Sequence, residues 1–405
     1  MSRRRLWAAR SPHRRLAAAA IAAALAAGVG LAGCESPANV GAPGPDGYVT
    51  NHVPVGLSLP DGPMADGVRL AIKEINETGG VLGLPLRLLD GTGTRAVVAF
   101  GCPAGGTTAA AMYYCPGDGG PSTAPGGGEP RAFYTGSAPN QRVVPALEYL
   151  VSQGRTSLYL AVDDDPLSRA TAAIVRAYAA TGAVTVIGQS SIADLSRAAT
   201  TRPRATAVLS TLSATKTARF LDAYGRAGLR PDRVPVLSVS LTEADIPAVP
   251  GFAGQLLGGS YFQSLPGRAN EAFVTAFRRE VAATEPTTGP ATGPATGPAT
   301  GPATAQPAGE HVESAYLAVY VWRAMVAKAG SFRPEEVLAR DGLVIDAPEG
   351  RVMVDAPRGH LYRTARVGRV GADGVVRTVW ESGALVRPDP ELLAYPWARA
   401  DAGVR

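Results

Sequence analysis

VPVGLSLPDGPMADGVRLAIKEINETGGVLGLPLRLLD, residues 53–90, holds the pattern that decides the fold. Val53-Pro54-Val55-Gly56-Leu57 is a short apolar run of the kind buried in parallel sheets. Asp61-Gly62-Pro63 breaks it, and proline suits the first helical turn because the N–H it lacks would have had no partner there. Met64, Val68, Ala71, Ile72 and Ile75 recur at helical spacing on one face, with Arg69, Lys73, Glu74 and Glu77 on the other. Gly79-Gly80 provides the left-handed C-cap, and residues 86–89 return as a strand. Strand, helix and strand in this order predict a βαβ unit, hence a parallel sheet covered by helices.

In such sheets ligands sit beyond the carboxyl ends of the strands, where helix N-termini offer free N–H groups. That end of the unit is the loop 58–62, which makes Ser58 and Asp61 candidate ligand contacts. The glycines of GGVLG lie at the opposite end and read as a C-cap, not as a phosphate cradle.

Outward from this unit, 405 residues are enough for two lobes. The formal charge of +5 comes from the N-terminus, where Arg3, Arg4, Arg5, Arg10, Arg14 and Arg15 precede any acid. Removing those six from the 39 Lys and Arg leaves 33 against 34 Asp and Glu, so the basic balance gives no argument for nucleic acid. The arginines lead into an apolar run, 16–31, too short for a membrane span, and it ends at Leu31-Ala32-Gly33-Cys34. Residues 1–33 read as an export signal and 34–47 as a proline- and glycine-rich tether. The small residues before Cys34 resemble a lipobox, which implies lipidation of Cys34; a simple signal peptide with an incidental cysteine is the alternative. Export permits a disulfide between Cys102 and Cys115, which across about 13 residues stabilises by roughly 3 kcal/mol; two buried free thiols are the other possibility.

Further along, the apolar run 96–100 follows residue 90 too closely for a parallel neighbour reached by crossover, so either the pairing is irregular or one run is not a strand. From residue 144 the alternation is regular. Helices are expected at 145–153, 167–180, 215–227 and 269–283, with strands at 156–162, 183–188, 205–211, 234–239 and 255–263. Four GPAT units from Gly289 carry a proline every fourth residue, which excludes helix, strand and collagen. A long helix spans 310–329, a short one starts at Pro334, and strands follow at 351–355, 360–370 and 375–381, with Ala372-Asp373-Gly374 as a hairpin turn.

The stretch from Val55 resembles the opening of type I periplasmic solute-binding proteins of the branched-chain amino acid group. FYTGSAPNQ (133–141), SYFQSLPGRANEAFV (260–274), AYLAVYVWRAMVAKAG (315–330), DAPEGRVMVD (346–355) and RPDP (387–390) resemble the urea and short-chain amide branch. The resemblance implies an α/β fold of two lobes, each a mostly parallel sheet flanked by helices. Lobe 1 would be 48–140 plus 250–330, with the GPAT insertion at 286–308 disordered, and lobe 2 would be 141–249 plus 331–405. Closure about hinges near 137–142, 241–246 and 330–334 would trap a small polar solute (amino acid, amide or urea-like) for the permease of an ABC transporter. The N-terminal lipid would hold the chain at the membrane. A membrane-anchored sensor and a member that no longer binds ligand are the alternatives.

Candidate ligand residues lie where strands end. Gly105, Thr107 and Thr108 form a glycine- and hydroxyl-rich loop before an alanine-rich helical start, though either threonine could simply be an N-cap. Asp163-Asp164-Asp165 follows a strand, and Asp164 or Asp165 is expected to face the cleft, with Ser213 at the next strand end. Glu243 ends another strand and matches the glutamate that holds the ligand ammonium in branched-chain amino acid binders. Amide binders carry a serine where this chain has Gly105 and a tyrosine where it has Asp165. Fewer rings and more carboxylate suit a cationic or polyhydroxylated solute better than acetamide. His13, His52, His311 and His360 are scattered without metal-ligand spacing, and no nucleophile elbow or Walker loop occurs. No cofactor, metal or catalysis is expected.

Overall fold

The computed structural model describes residues 51–89, 96–102, 112–117, 131–189, 205–284 and 307–399. Cys34, Gly105, Thr107, Thr108 and the GPAT units lie outside the described residues.

The first sheet has five parallel strands in the order β2-β1-β3-β4-β5. They are β1 (Val53–Leu57), β2 (Leu86–Leu88), β3 (Val98–Phe100), β4 (Tyr113–Cys115) and β5 (Ala132–Tyr134). Helix α1 (Pro63–Glu77) follows β1 with Pro63 in its first turn, and its apolar face, including Val68, Ala71, Ile72 and Ile75, is buried. The close succession of β2 and β3 has a simple resolution. They lie on opposite sides of β1, with β2 pairing Val53, Pro54 and Val55 and β3 pairing Val55, Gly56 and Leu57. β3 therefore starts level with the end of β2, on the other side of β1.

The second sheet has seven strands in the order β15-β14-β10-β9-β8-β6-β7. Parallel β6 (Ser157–Ala161), β7 (Thr185–Gln189), β8 (Ala207–Ser210), β9 (Val236–Ser238) and β10 (Leu256–Gly259) are extended by the antiparallel hairpin of β14 (Arg366–Val370) and β15 (Val376–Glu381). Helices α2 (Pro139–Ser152) and α3 (Pro166–Ala179) supply Val143, Leu147, Leu150 and Val175 to one core. Helix α4 (Ala214–Arg226) supplies Phe220, Leu221 and Tyr224 to another. The first of these helices starts six residues before the expected Pro145. The first-turn proline is Pro139 instead, and Pro145 lies inside the helix.

Helices α5 (Arg268–Thr284) and α6 (Glu310–Ala329) return to the first lobe and pack on α1, with Trp322 fully buried in its core. After α7 (Pro334–Leu338), strands β11 (Val344–Ala347), β12 (Gly350–Asp355) and β13 (His360–Tyr362) form an antiparallel sheet of three. Val352, Val354 and Leu361 of that sheet belong to the first-lobe core. A short helix, α8 (Pro396–Arg399), follows, and Trp397 stacks edge-on against Tyr178 of α3.

The chain therefore passes between lobes at 135–138, 260–267 and 363–365. Three boundaries differ from the sequence expectation. β10, placed in lobe 1, pairs with β9 and β14 in the second sheet. β11–β13, placed in lobe 2, lie with the first lobe, where Tyr134 N donates to Gly359 O at 2.6 Å. The expected single strand 360–370 is split by the third crossover. Of the expected hinges, 137–142 overlaps a crossover, whereas 241–246 and 330–334 lie within single lobes.

Candidate functional site

A cavity of ≈ 170 Å³ opens where the first crossover meets the C-terminal ends of the second sheet. Ser137, Ala138, Pro139, Arg142 and Val143 line it from the crossover and α2; Leu167, Ser168 and Thr171 from the start of α3; Thr211, Val239 and Ser240 from strand ends. His311, at the start of α6, lines it from the first lobe. Both ingredients of a solute site are present, apolar walls and a few placed polar groups.

The polar groups are held tightly. Ser137 Oγ donates to Glu310 Oε1 at 2.6 Å, and Arg142 Nη2 donates to Glu310 Oε2 at 2.5 Å. Ser168 Oγ donates to Thr211 O at 3.2 Å, and Ser240 Oγ donates to Leu212 O at 2.9 Å. Thr211 Oγ1 accepts the Asp163 N–H at 3.2 Å.

Beneath the cavity the three crossovers are tied by buried charge. Glu310 Oε2 also accepts the Ser260 N–H at 3.1 Å, linking the second crossover to the first. Arg363, fully buried in the third crossover, donates to Glu349 Oε1 at 2.8 Å, Glu313 Oε2 at 3.0 Å and Thr135 O at 2.6 Å. Arg366 donates to Ser260 O and Glu349 O. Burial works against the Arg363 charge, but Glu349, Glu313 and Glu310 outweigh it and raise its pKa. Burial also raises Glu313 and Glu349, in opposition to the Arg363 charge. Gly259 stands against Glu310 without a side chain; a methyl group there would collide with Glu310 Oε2.

Ser58 and Asp61 sit exposed at the end of β1, with Asp61 paired to Arg69 at 2.7 Å. Asp164 is exposed and paired to Arg169 at 2.6 Å. Asp165 is the N-cap of α3, accepting the Ser168 N–H at 2.9 Å; burial opposes its charge, but the bonds from Ser168 hold its pKa low. Asp163, which contacts Lys216, is also held low by that ammonium. Ser213 precedes α4 with its side chain exposed.

Glu243 is the largest departure. It starts a 3₁₀ turn, Glu243–Ala248, and is only 1% exposed. Its carboxylate accepts Gln263 N at 2.7 Å and Val376 N at 3.4 Å, tying the second crossover to β15. Burial pushes its pKa up to about 7. It is absent from the cavity lining, because its two oxygens satisfy buried backbone donors.

Sequence reasoning missed Ser137, Arg142, Ser168, Thr171, Thr211, Ser240 and His311. Crossover position was the one available signal, since Ser137 and Arg142 lie in an expected hinge. Cys102 and Cys115 are bonded, with Cα atoms 4.9 Å apart, and join the ends of β3 and β4. No cluster that could hold a metal occurs among the described residues.

Two lobes of parallel sheet joined by three crossovers, with a small cavity between them, define a solute-binding fold. The family described as periplasmic binding protein domain matches residues 128–396, and the chain belongs to that family. These are binding proteins rather than enzymes, and their place is extracytoplasmic. The structure is similar to a solute-binding protein of an ABC transporter from Rhodopseudomonas palustris BisB5 in complex with 3,4-dihydroxybenzoic acid. That match has a TM-score of 0.63 and 14% identity, covering 84% of this chain and 98% of that one. It is also similar to an R. palustris solute-binding protein in complex with 4-hydroxybenzoate, with a TM-score of 0.62 and 17% identity over 85% and 100% of the chains. An ABC transporter substrate-binding protein from Desulfitobacterium hafniense in complex with Leu gives a TM-score of 0.60 and 18% identity over 81% and 99%. At these identities the likeness is one of fold. No described helix is long and apolar enough to cross a membrane.

Proposed function

We propose that this chain captures a small polar solute between its lobes and delivers it to the permease of an ABC importer. It would do so from the outer face of the membrane, held there by lipid on Cys34. The observation that carries the reading is the ≈ 170 Å³ cavity, lined mainly from the second lobe and by His311 from the first. A ligand touching both walls binds the closed arrangement better than the open one, which is the differential affinity that drives closure. The arginine-rich start, short apolar run and Leu-Ala-Gly-Cys sequence support export and anchoring. Similarity to binders of hydroxybenzoates and of Leu supports solutes of that size.

Titration calorimetry of the full chain against amino acids, short amides, urea, aromatic acids and small alcohols tests the reading. Saturable binding of one class, lost when Thr171→Trp fills the cavity, is the expected result. Absence of binding across all of them rejects it. Labelled palmitate incorporated by the wild type and not by Cys34→Ala checks the anchor.

A further inference from the structure

Three serines of the cavity wall, together with its charge and size, narrow the ligand class. This step rests on the cleft-binding reading above. A backbone carbonyl can only accept, so a hydroxyl bonded to one has committed its proton. Ser168 and Ser240 donate to the carbonyls of Thr211 and Leu212, and Ser137 donates to the Glu310 carboxylate. Toward the cavity these three side chains present lone pairs alone. They accept from a guest, while the Thr171 and Thr211 hydroxyls on the same wall keep protons that no carbonyl takes.

Charge around the cavity is already compensated. Arg142 is paired with Glu310 and buried. The start of α3, whose free N–H groups would attract an anion, is closed by the Asp165 carboxylate and begins with Pro166, which has no N–H. The α2 start is similar, with Pro139 in its first turn and the Ala138 N–H taken by Gln141 Oε1 at 3.0 Å. For a cation the nearby carboxylates are spent: Asp163 on Lys216, Asp164 on Arg169 and Glu243 on two backbone N–H groups. An ammonium placed here would be desolvated with no counter-charge, which opposes its binding.

Size and wall composition complete the argument. At about 30 Å³ per water, a space of ≈ 170 Å³ equals between five and six waters. An apolar cavity of about 150 Å³ takes up a benzene ring. Ala138, Pro139, Val143, Leu167 and Val239 give the apolar contact that a ring body needs. We infer that the part of the solute entering the second lobe is an uncharged six-membered ring or similar compact body carrying hydroxyl donors, phenol or cyclic alcohol in kind. It is neither the ammonium of an amino acid nor a carboxylate.

Titration calorimetry of the full chain with phenol and cyclohexanol, against toluene, anisole, benzoate and benzylamine, decides it. Toluene keeps the shape of phenol without the proton, and anisole keeps the oxygen without the proton. Phenol or cyclohexanol is expected to bind at least about tenfold tighter than the four controls, because a site built to accept a hydroxyl proton rejects ligands lacking it. Ser240→Ala is expected to weaken phenol by about threefold to tenfold and to leave toluene unchanged, with Ser168→Ala as the second variant. Benzoate or benzylamine binding as tightly as phenol overturns the inference while leaving the cleft-binding reading intact. So does equal binding of phenol and toluene, an equal loss of both in the serine variants, or binding of an amide or amino acid with none of the ring probes. If no solute of either series binds, both readings fall together.

Discussion

Ser137 Oγ lies 2.6 Å from Glu310 Oε1, and this hydrogen bond joins the cavity wall to the charged knot that ties the crossovers. Through its other oxygen the same carboxylate holds Arg142 of the second lobe and the Ser260 N–H of the second crossover. The cavity wall and the junction of the two lobes therefore share one carboxylate.

Glu310→Gln keeps the shape of that junction and removes its charge, leaving Arg142 buried opposite a neutral amide. Breaking a buried pair from one side costs about 3–5 kcal/mol. Urea denaturation is expected to show a lower midpoint with an unchanged slope. An undisturbed midpoint would mean that the pair contributes nothing to stability.

Arg363→Met removes the one guanidinium that contacts Glu349, Glu313 and Thr135 O together. Glu313 is then buried without its cation and Glu349 keeps only the nearby Arg366 charge, so a loss of about 3–5 kcal/mol is expected. Lysine offers a point charge in place of a planar fork, so Arg363→Lys is expected to recover only part of it. Adding Glu349→Gln to Arg363→Met should restore some of the loss, and additive effects in that double-mutant cycle would refute the coupling.

The fold was legible because it is written in local pattern. Apolar runs such as Val53–Leu57, followed by Pro63 and an amphipathic helix, repeat along the chain. What escaped was pairing across distance. Nothing near residue 256 reveals that β10 will be sandwiched between β9 and β14, and nothing near 360 reveals that β13 and β14 join different lobes. The site was less legible for the same reason. Ser137, Ser168, Ser240 and His311 come from four separated segments and carry no motif. Glu243 has the residue type and strand-end position of a ligand group, yet burial and two backbone N–H groups decide otherwise.

The Cys102–Cys115 bridge closes a loop with a sequence separation of 13 between neighbouring strand ends. Its reduction frees that loop in the unfolded chain and is expected to remove roughly 3 kcal/mol. A urea midpoint unaffected by dithiothreitol, with thiol counting confirming reduction, would show that the bridge does not stabilise the fold.

Glu243 and His360 give opposite pH dependences in one window. Burial raises Glu243 from 4.5 to about 7 and lowers His360 from 6.5 to about 4. Between about pH 4.5 and 7 the unfolded chain has Glu243 ionised while the folded chain keeps it protonated, so the unfolded state binds fewer protons and stability falls as pH rises. Between about pH 4 and 6.5 the unfolded chain has His360 protonated while the folded chain keeps it neutral, so stability rises with pH. Each contributes about 3 kcal/mol across its window, at 1.36 kcal/mol per pKa unit. In the wild type the two slopes nearly cancel from about pH 4.5 to 6.5. Glu243→Gln, which keeps an oxygen to accept the Gln263 N–H, should leave a stability that climbs over that range. His360→Phe keeps the stack on Tyr134 and loses the bond from Nδ1 to Arg358 O, while Nε2 has no hydrogen-bond partner to lose. Its stability should fall over the same range. Urea titrations at half-unit pH intervals on the three proteins read the slopes directly, and parallel curves would remove both residues from the account.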